Sequence, residues 1–295
     1  MDLLHELAEN VRRHAGPAAT TIGGPDAMLI TADAVAPPQQ IVYEPMLCVI
    51  LDGAKRTTLG AHTFDYRAGD CLVVSADLPV SGQVLEAPYA AIGIALEPAM
   101  IAALTLEAGG AAPDDAAPGR GLRVSRMDAG LIDAVGRLIA LLDRPSDAPV
   151  LAPMIRREIV WRLLAGEHSA MVRQIGAKDG RLGRIQRVIA RLREHYAEPI
   201  RIEALAALAG MSETSLHRHF KAVTAMSPLQ FQKQVRLQEA RNRLLNDGRD
   251  IAGVGFAVGY DSPSQFSREY SRQFGRPPGQ DLKRLRSEPV SAPVL

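Results

Sequence analysis

The chain has 295 residues, of which 47% are hydrophobic and 23% charged, a composition typical of a globular protein long enough for two domains. It has no apolar run of the about 20 residues that span a bilayer and no N-terminal secretory signal, so we expect a cytoplasmic protein without a membrane partner. The formal net charge of +1 conceals an asymmetry: residues 1–180 hold 15 Lys and Arg against 22 Asp and Glu, whereas residues 181–295 hold 19 against 11. The C-terminal part therefore carries the positive charge that a nucleic-acid-binding domain needs.

After a short amphipathic helix, residues 27–96 consist of short β-type runs separated by turn-forming residues. The runs are MLIT, MLCVIL, HTFDY, CLVVS and YAAIGIAL, and DG, LG, AGD and ADLP lie between them. This pattern predicts an antiparallel structure closed into a barrel or sandwich. A metal-dependent enzyme of this architecture would need several histidines with a carboxylate, and the region contains only His62. We therefore expect no metal, no cofactor and no catalysis.

Three helices are predicted next, over 98–107, 129–142 and 151–164, with a Gly-, Ala- and Pro-rich loop at 108–121. The second and third helices carry apolar stripes at helical spacing: Leu131, Val135, Leu138 and Leu142, and Ile155, Ile159 and Leu163. Periodicity does not distinguish a stripe that packs on the barrel from one that pairs with a second subunit, so both interpretations remain open.

Two cysteines, Cys48 and Cys71, lie in apolar runs of the β-rich region. Such cysteines are typically small buried side chains in a reducing compartment. The alternative hypothesis is that one of them is an exposed thiolate that senses an oxidant or a reactive aldehyde.

The stretch 202–245 predicts a helix-turn-helix followed by a long helix. Residues 202–209 favour a helix, Gly210 permits the positive φ of a sharp stop, and Ser212 is placed to cap the next helix. One face of that next helix is apolar: Leu216, Phe220 and Val223. The opposite face carries polar and cationic side chains suited to base edges and phosphates in a major groove: Thr214, His217, Arg218 and Lys221. A single such hairpin is equally consistent with an ordinary solvated face.

A second copy makes that alternative less attractive. Residues 251–258 and 262–274 repeat the pattern, and four residues recur at the same separation: Leu216, Arg218, Phe220 and Pro228 correspond to Phe266, Arg268, Tyr270 and Pro278. The outward-facing residues of the second copy are Ser264, Ser267, Arg268 and Ser271. Between the copies, Ser227, Pro228 and Gln230 predict a capping box and a helix to Leu245. That helix spans about 30 Å, close to one turn of B-DNA, so two recognition helices can enter successive major grooves.

The segment from Tyr196 to Arg286 resembles the paired helix-turn-helix domain of the AraC/XylS family of transcriptional regulators, including the FGRPP segment after the second recognition helix. The resemblance implies the following base-reading residues: Thr214, His217 and Arg218 in the first unit, and Pro263, Ser264, Ser267 and Arg268 in the second. The sequence departs from the family at Ala225, where many members have glycine, and at Gly253 and Gly255. Glycine in a helix interior costs up to about 1 kcal/mol, so we expect the first unit to be the more rigid reader.

The N-terminal half is similar to the regulatory domain of one AraC-type subgroup, in stretches that begin at Pro45, Ala68 and Asp143. This resemblance implies a cupin-like barrel that senses an effector, and it identifies no pocket residues. We thus predict two domains: a cupin-like β-barrel with flanking helices (α+β, residues 1–175) and an all-α domain with two helix-turn-helix motifs joined by a long helix (184–295), with a linker at 176–183.

The expected function is ligand-responsive transcription regulation. The expected partners are double-stranded operator DNA, an unknown small-molecule effector, a second subunit in a homodimer, and RNA polymerase if the protein is an activator. One alternative is an enzyme with a β-barrel active site and an accessory nucleic-acid module. Another is a DNA-binding protein without a ligand, whose barrel serves only for dimerisation. A barrel interior filled by side chains would favour this last interpretation.

Overall fold

The structure is a computed structural model that describes residues 3–16, 20–110, 119–247 and 250–287. Its N-terminal part begins with helix α1 (Leu3–His14) and contains a sheet of seven antiparallel strands: β1 (Ala27–Ala32), β2 (Gln39–Tyr43), β3 (Met46–Leu59), β4 (His62–Arg67), β5 (Asp70–Val74), β6 (Leu78–Ala95) and β7 (Leu122–Arg126). This confirms the predicted antiparallel β domain.

Two long strands, β3 and β6, organise the sheet. They pair with each other along most of their length. The first half of β3 also pairs with β5, and its second half pairs with β4. Strand β6 pairs with β2 near its start and with β1 near its end. Register shifts between Ile50 and Lys55 interrupt the pairing of β3 with β6, and such bulges bend a strand and increase its twist.

The structure differs from the sequence prediction at three places in this sheet. Asp52 and Gly53, predicted to separate two strands, lie inside β3 at its bulge, where Gly53 has φ +73°. Strands β2 and β7 were not predicted. The predicted loop 108–121 lies largely outside the described residues, and its last residues lead directly into β7.

Four helices follow or flank the sheet: α2 (Pro98–Glu107), α3 (Ala129–Ala140), α4 (Ala148–Ala165) and α5 (Ser169–Gly176), with a short 3-10 turn at Leu141–Asp143. In both predicted stripes all residues except the partly buried Leu142 are buried within the chain. Those stripes therefore pack on the chain's own core.

The C-terminal part is helical: α6 (Arg181–Glu194), α7 (Ile202–Ala209), α8 (Glu213–Thr224), α9 (Pro228–Asp247), α10 (Ile251–Ala257), α11 (Pro263–Phe274) and α12 (Pro278–Ser287). Helix α6 begins only a few residues after the end of α5 at Gly176, so the connection between the two halves is short.

Buried apolar side chains form two clusters among the described residues. The larger cluster runs from the barrel through α6 and α8 to Phe231 and Val235 in the first half of α9. The smaller cluster belongs to the second helix-turn-helix unit and includes Leu237, Phe266 and Tyr270. The first unit therefore shares its core with the barrel, whereas the second unit has a core of its own.

Candidate nucleic-acid interface

The first helix-turn-helix is built as its sequence predicts. Helix α7 ends at Gly210, which adopts the left-handed conformation (φ +60°), and the Ser212 side chain caps α8 by accepting a hydrogen bond from the Ser215 backbone N–H at 3.3 Å. Phe220 is fully buried and makes an edge-to-face contact with Phe231 of α9, with ring centroids 5.5 Å apart. This packing fixes which face of α8 points away from the core.

The outward face of α8 exposes all four predicted residues: Thr214, His217, Arg218 and Lys221. One Arg218 guanidinium nitrogen lies 3.4 Å from Nε2 of the buried His219. Burial and the nearby Arg218 charge lower the pKa of His219, which favours the neutral imidazole. Lys221 lies at the edge of a cleft of about 300 Å³ that it shares with His62 and Arg120 of the N-terminal domain.

The second unit repeats this construction. Ser262 caps α11 through the Gln265 N–H at 3.5 Å, and Pro263 occupies the first helical turn. Phe266 and Tyr270 are buried, and the predicted base-facing residues lie on the other side: Pro263, Ser264 and Arg268 are exposed, and Ser267 is partly exposed. The Ser271 hydroxyl donates to the Ser267 carbonyl at 2.7 Å, so Ser271 is engaged with its own helix.

Gly255 has a packing role that the sequence did not reveal. A Cβ at this position would lie 3.0 Å from the Phe266 ring. The glycine therefore allows α10 and α11 to approach closely, which offsets its unfavourable helix propensity.

Helix α9 connects the two units. The predicted capping box is confirmed: the Ser227 N–H donates to the Gln230 side chain at 2.9 Å, and the Gln230 N–H donates to the Ser227 hydroxyl at 3.3 Å. The helix has 20 residues, which corresponds to about 30 Å.

Two charged residues that the sequence analysis missed hold the second unit in place. Arg236 of α9 donates to the carbonyl oxygens of Tyr196 at 2.6 Å and Gly259 at 2.8 Å. Asp281 of α12, only 1% exposed, accepts from Arg241 at 2.9 Å and from the Tyr270 hydroxyl at 2.9 Å. These bonds join α9 to the turn between α10 and α11, to α12 and, through Asp281, to α11. They therefore fix the orientation of the second unit on the connecting helix.

The N-terminal domain contacts the carboxyl end of α8. The Gly121 N–H donates to the Val223 carbonyl at 3.0 Å, and Gly60 in the β3–β4 turn packs against Ala225, the left-handed residue that ends α8. Gln186 of α6 donates to the Ser75 carbonyl at 2.8 Å, and Arg193 pairs with Asp77. The barrel is therefore joined both to α6 and to the first recognition helix.

A polar cluster lies inside the barrel, out of contact with solvent: Tyr43, Lys55, Thr57, Tyr66 and Tyr89. The Lys55 ammonium lies 5.4 Å from the centroid of the Tyr43 ring and 6.0 Å from that of Tyr89, within range of cation–π attraction. The Thr57 hydroxyl lies 2.7 Å from that of Tyr66. Burial raises the pKa of Tyr66 and of Tyr89, so both hydroxyls stay protonated.

Neither cysteine is an exposed thiolate. Cys48 and Cys71 are both buried, and burial raises the pKa of Cys48 and raises that of Cys71 to about 11. The hypothesis of an exposed reactive thiolate is therefore wrong, because a buried neutral thiol is a poor nucleophile. Cys71 lies beside a strong hydrogen bond between the Ser125 hydroxyl and His168 Nε2, 2.6 Å apart.

Within the described ranges, no three His, Cys, Asp or Glu side chains converge in a way that could hold a metal ion. Among the same residues, the helices are all too short or too polar to cross a membrane.

Comparison with known proteins agrees with this architecture. The family model for the AraC-type transcriptional regulator N-terminus matches residues 25–171, and a helix-turn-helix domain model matches residues 205–284. Similar proteins include the HTH-type transcriptional activator RhaS of Escherichia fergusonii, 29% identical over 155 residues, and that of Salmonella schwarzengrund, 26% identical over 155 residues. Each alignment covers 52% of this chain and 55% of the relative, so the chain spans about half the length of the curated relatives it matches.

Among solved structures, a single-residue variant of apo ToxT from Vibrio cholerae is similar over 88% of this chain and 98% of its own, with a TM-score of 0.56 and 9% identity. Wild-type ToxT bound to an unsaturated fatty acid gives a TM-score of 0.55, also at 9% identity, over 88% of this chain and 95% of its own. At this identity the likeness shows the fold alone. Since one family model matches the barrel half and the other matches the paired helix-turn-helix half, the chain belongs to the AraC family of transcriptional regulators.

Proposed function

We propose that this protein is a ligand-responsive regulator that binds operator DNA with α8 and α11 in successive major grooves. The observation that carries this proposal is the matched construction of the two units on α9. Each recognition helix buries an aromatic side chain, Phe220 or Tyr270, and exposes an arginine two positions before it, Arg218 in the first unit and Arg268 in the second. Arginine can bond to guanine O6 and N7 together, which makes these two residues the expected main readers of sequence.

The remaining exposed residues have supporting roles in this proposal. Thr214 and His217 lie on the same face as Arg218 and are placed to bond base edges or phosphates. Lys221, one turn nearer the carboxyl end of α8, supplies a phosphate contact. In the second unit, Ser264 and Ser267 accompany Arg268. We also propose that the boundary between a sensor domain (1–175) and the DNA-binding domain (184–295) falls in the short connection after α5.

The barrel is proposed as the sensor. The buried polar cluster around Lys55 is suited to an effector with a negatively charged or electron-rich group, because the ammonium and the tyrosine hydroxyls would bond to it. The contacts of Gly121 with Val223 and of Gly60 with Ala225 would carry a change in the barrel to the end of α8. Homodimerisation, and contact with RNA polymerase during activation, are further parts of this proposal.

One observation favours the alternative of a barrel without a ligand: the cluster around Lys55 has no contact with solvent. The variant Lys55→Met distinguishes the two, because methionine keeps the apolar stem and removes the charge. If the barrel binds an effector, the variant keeps its DNA affinity and loses the response to the effector. If the cluster is only structural, either Lys55→Met responds to an effector as the unmodified chain does, or neither protein responds.

The function itself is tested by selecting bound fragments from genomic DNA with the purified protein. We expect enrichment of a recurring motif with two half-elements about one helical turn apart. Arg218→Ala should lose the first half-element, and Arg144→Ala, an exposed arginine of the N-terminal domain, should leave the motif unchanged. Recovery of random fragments by the unmodified protein would contradict the proposal.

A further inference from the structure

A small cleft lies between the N-terminal domain and the second helix-turn-helix unit, apart from the buried cluster around Lys55. One wall is the segment that enters β2, with Pro37, Pro38 and Gln40, and the other wall includes the end of α11. The cleft has a volume of about 280 Å³, close to the lower limit of about 300 Å³ for pockets that bind small molecules. A small ligand in this cleft would therefore contact both domains at once.

Three arginines line the cleft, and each comes from a different element. Arg241 belongs to α9, Arg276 to the turn between α11 and α12, and Arg284 to α12. Among the described residues, no aspartate or glutamate lines the cleft. Three guanidinium groups that face one small space give it a positive potential, which favours an anionic ligand.

Two of these arginines are held in place by one buried carboxylate. Arg241 donates to Asp281 at 2.9 Å, and a guanidinium nitrogen of Arg284 lies 3.5 Å from the same carboxylate. Asp281 also accepts from the Tyr270 hydroxyl at 2.9 Å. The Arg241 guanidinium lies over the Phe274 ring, 4.7 Å from its centroid. Because these contacts fix Arg241, its position in the cleft is set before any ligand binds.

The third arginine, Arg276, is exposed and has unused donors. Within the described part of the chain, its side chain forms no ion pair and no hydrogen bond, and the same holds for the side-chain amides of Gln40 and Gln273, which also line the cleft. A guanidinium carries five N–H donors and each amide carries two. The cleft therefore offers hydrogen-bond donors that the protein itself does not use.

We propose that this cleft binds a small phosphate monoester, with its phosphate group among Arg241, Arg276 and Arg284. Three arginines from three elements suit a tetrahedral group with three terminal oxygens, whereas a carboxylate offers two oxygens in one plane. The organic part of the ligand then lies against Pro37 and the Phe274 ring, and the two glutamine amides bond to its hydroxyl groups.

The position of the cleft separates it from the surface that faces DNA in the proposed function. Helix α11 has 12 residues and is about 18 Å long. The predicted readers Ser264 and Arg268 lie in its first half, whereas Gln273 and Phe274 end it. The other wall of the cleft is the N-terminal domain. A small molecule can enter such a space, and a DNA duplex cannot.

The inference rests on the proposed function only for its regulatory consequence. The bonds of Arg236 and Asp281 attach the second unit to α9. A ligand in the cleft would also attach this unit to the segment that enters β2. The second recognition helix would then be held in one orientation relative to the N-terminal domain, which changes the affinity for the second half-element of the operator.

Binding is tested without DNA, by isothermal titration calorimetry on the full chain at constant ionic strength. The probes are glycerol 3-phosphate, inorganic phosphate and succinate. We expect one saturable site per chain that binds glycerol 3-phosphate most tightly and succinate most weakly. Arg276→Ala should weaken the binding of glycerol 3-phosphate by about tenfold or more, because it removes a charge-assisted contact. Arg276→Lys should weaken it less, because lysine keeps the charge and loses the planar fork.

The matched control is Arg272→Ala, which removes an exposed arginine of α11 that does not line the cleft and should leave the affinity unchanged. Circular dichroism verifies that each variant is folded. Amide hydrogen exchange locates the ligand: glycerol 3-phosphate should slow exchange on both walls, at residues 39–43 and 279–284.

Four results would overturn the proposal. These are the absence of binding by either phosphate compound, succinate binding as tight as that of glycerol 3-phosphate, equal losses in Arg272→Ala and Arg276→Ala, and slowed exchange confined to residues 213–224 and 263–268. The last result would mean that the phosphate occupies the surface that faces DNA. Failure of the proposed function appears separately, as the absence of sequence-specific DNA binding by a chain that still binds glycerol 3-phosphate. If both proposals hold, glycerol 3-phosphate changes the affinity for the second half-element, and Arg276→Ala removes that change.

Discussion

Gly60 and Ala225 meet where the N-terminal domain touches the first recognition helix. A Cβ on Gly60 would lie 3.0 Å from the Cβ of Ala225 and 2.9 Å from its carbonyl oxygen. Both residues adopt positive φ, of +59° each. Because Ala225 ends α8 and Gly60 forms the turn between β3 and β4, any movement of that turn changes the space available to the end of the recognition helix.

The first prediction concerns this contact. Gly60→Ala should strain the turn by about 1 to 2 kcal/mol, because alanine disfavours positive φ, and should also push the turn away from Ala225. We expect faster amide hydrogen exchange at residues 223–226. The matched control is Gly275→Ala, where φ is +75° and nothing lies within 4 Å. Equal exchange at residues 223–226 in both variants would show that the contact does not restrain α8.

The second prediction separates two glycines in α10. Gly255→Ala should lower the free energy of unfolding of the second unit by about 1 to 3 kcal/mol, because the new methyl group overpacks against the Phe266 ring and its Cβ. In Gly253→Ala, the three atoms nearest the added Cβ all belong to the end of the Asp250 side chain, which caps α10. Its net effect should be smaller, since the better helix propensity of alanine offsets part of a weakened cap. Chemical denaturation of both variants measures the difference, and a larger loss for Gly253→Ala would contradict this account.

The third prediction distinguishes base readers from phosphate contacts. Arg218→Ala should cost about 1 to 3 kcal/mol on the operator and much less on random DNA. Lys221→Ala should weaken binding to both by a similar factor and reduce the slope of log affinity against log salt by about one. Fluorescence anisotropy at several salt concentrations measures all four values. Equal losses on operator and random DNA for Arg218→Ala would make Arg218 a phosphate contact.

The fourth prediction concerns pH. Burial lowers the pKa of His168 below its ordinary value; the nearby Glu167 carboxylate opposes this shift and the Arg123 charge adds to it. On acidification the unfolded chain therefore takes up this proton first, near pH 6.5, while the folded chain resists it. The free energy of unfolding should fall as the pH drops below about 6.5, until the folded imidazole also becomes protonated.

His168→Gln should reduce that fall, since an amide can keep a bond to Ser125 and does not titrate in this range. The control is His62→Gln, at an exposed position in β4. Thermal unfolding between pH 5 and 7 provides the comparison, and identical slopes for His168→Gln and the unmodified chain would exclude His168 as a cause.

The sequence predicted the elements whose signals are local. The stop at Gly210, the cap at Ser212 and the reciprocal bonds of Ser227 and Gln230 depend on residues within four positions of each other, and all are present. The face of α8 that carries Arg218 was likewise predicted from its periodicity, because Leu216, Phe220 and Val223 determine which side is buried.

Features decided by partners distant in the chain were missed. Asp52 and Gly53 resemble a turn, but pairing with β6 continues past them, so β3 is one bulged strand. Strand β2 (Gln39–Tyr43) begins with two polar residues and is mostly half-buried, which weakens its alternation. Arg236 bonds to carbonyl oxygens and Asp281 to side chains, several of them about 40 positions away in the chain, and no local pattern marks such anchors.

The two separate apolar cores have a consequence for how operator preference diversifies. The core of the first helix-turn-helix unit cannot be repacked without disturbing the barrel, because the two share one hydrophobic core. The second unit has a hydrophobic core of its own and is attached to α9 through the bonds of Arg236 and Asp281. Under the proposed function, exchange of the segment after Leu237 between related proteins would therefore change one half of the bound DNA sequence and leave the response of the barrel to an effector unchanged.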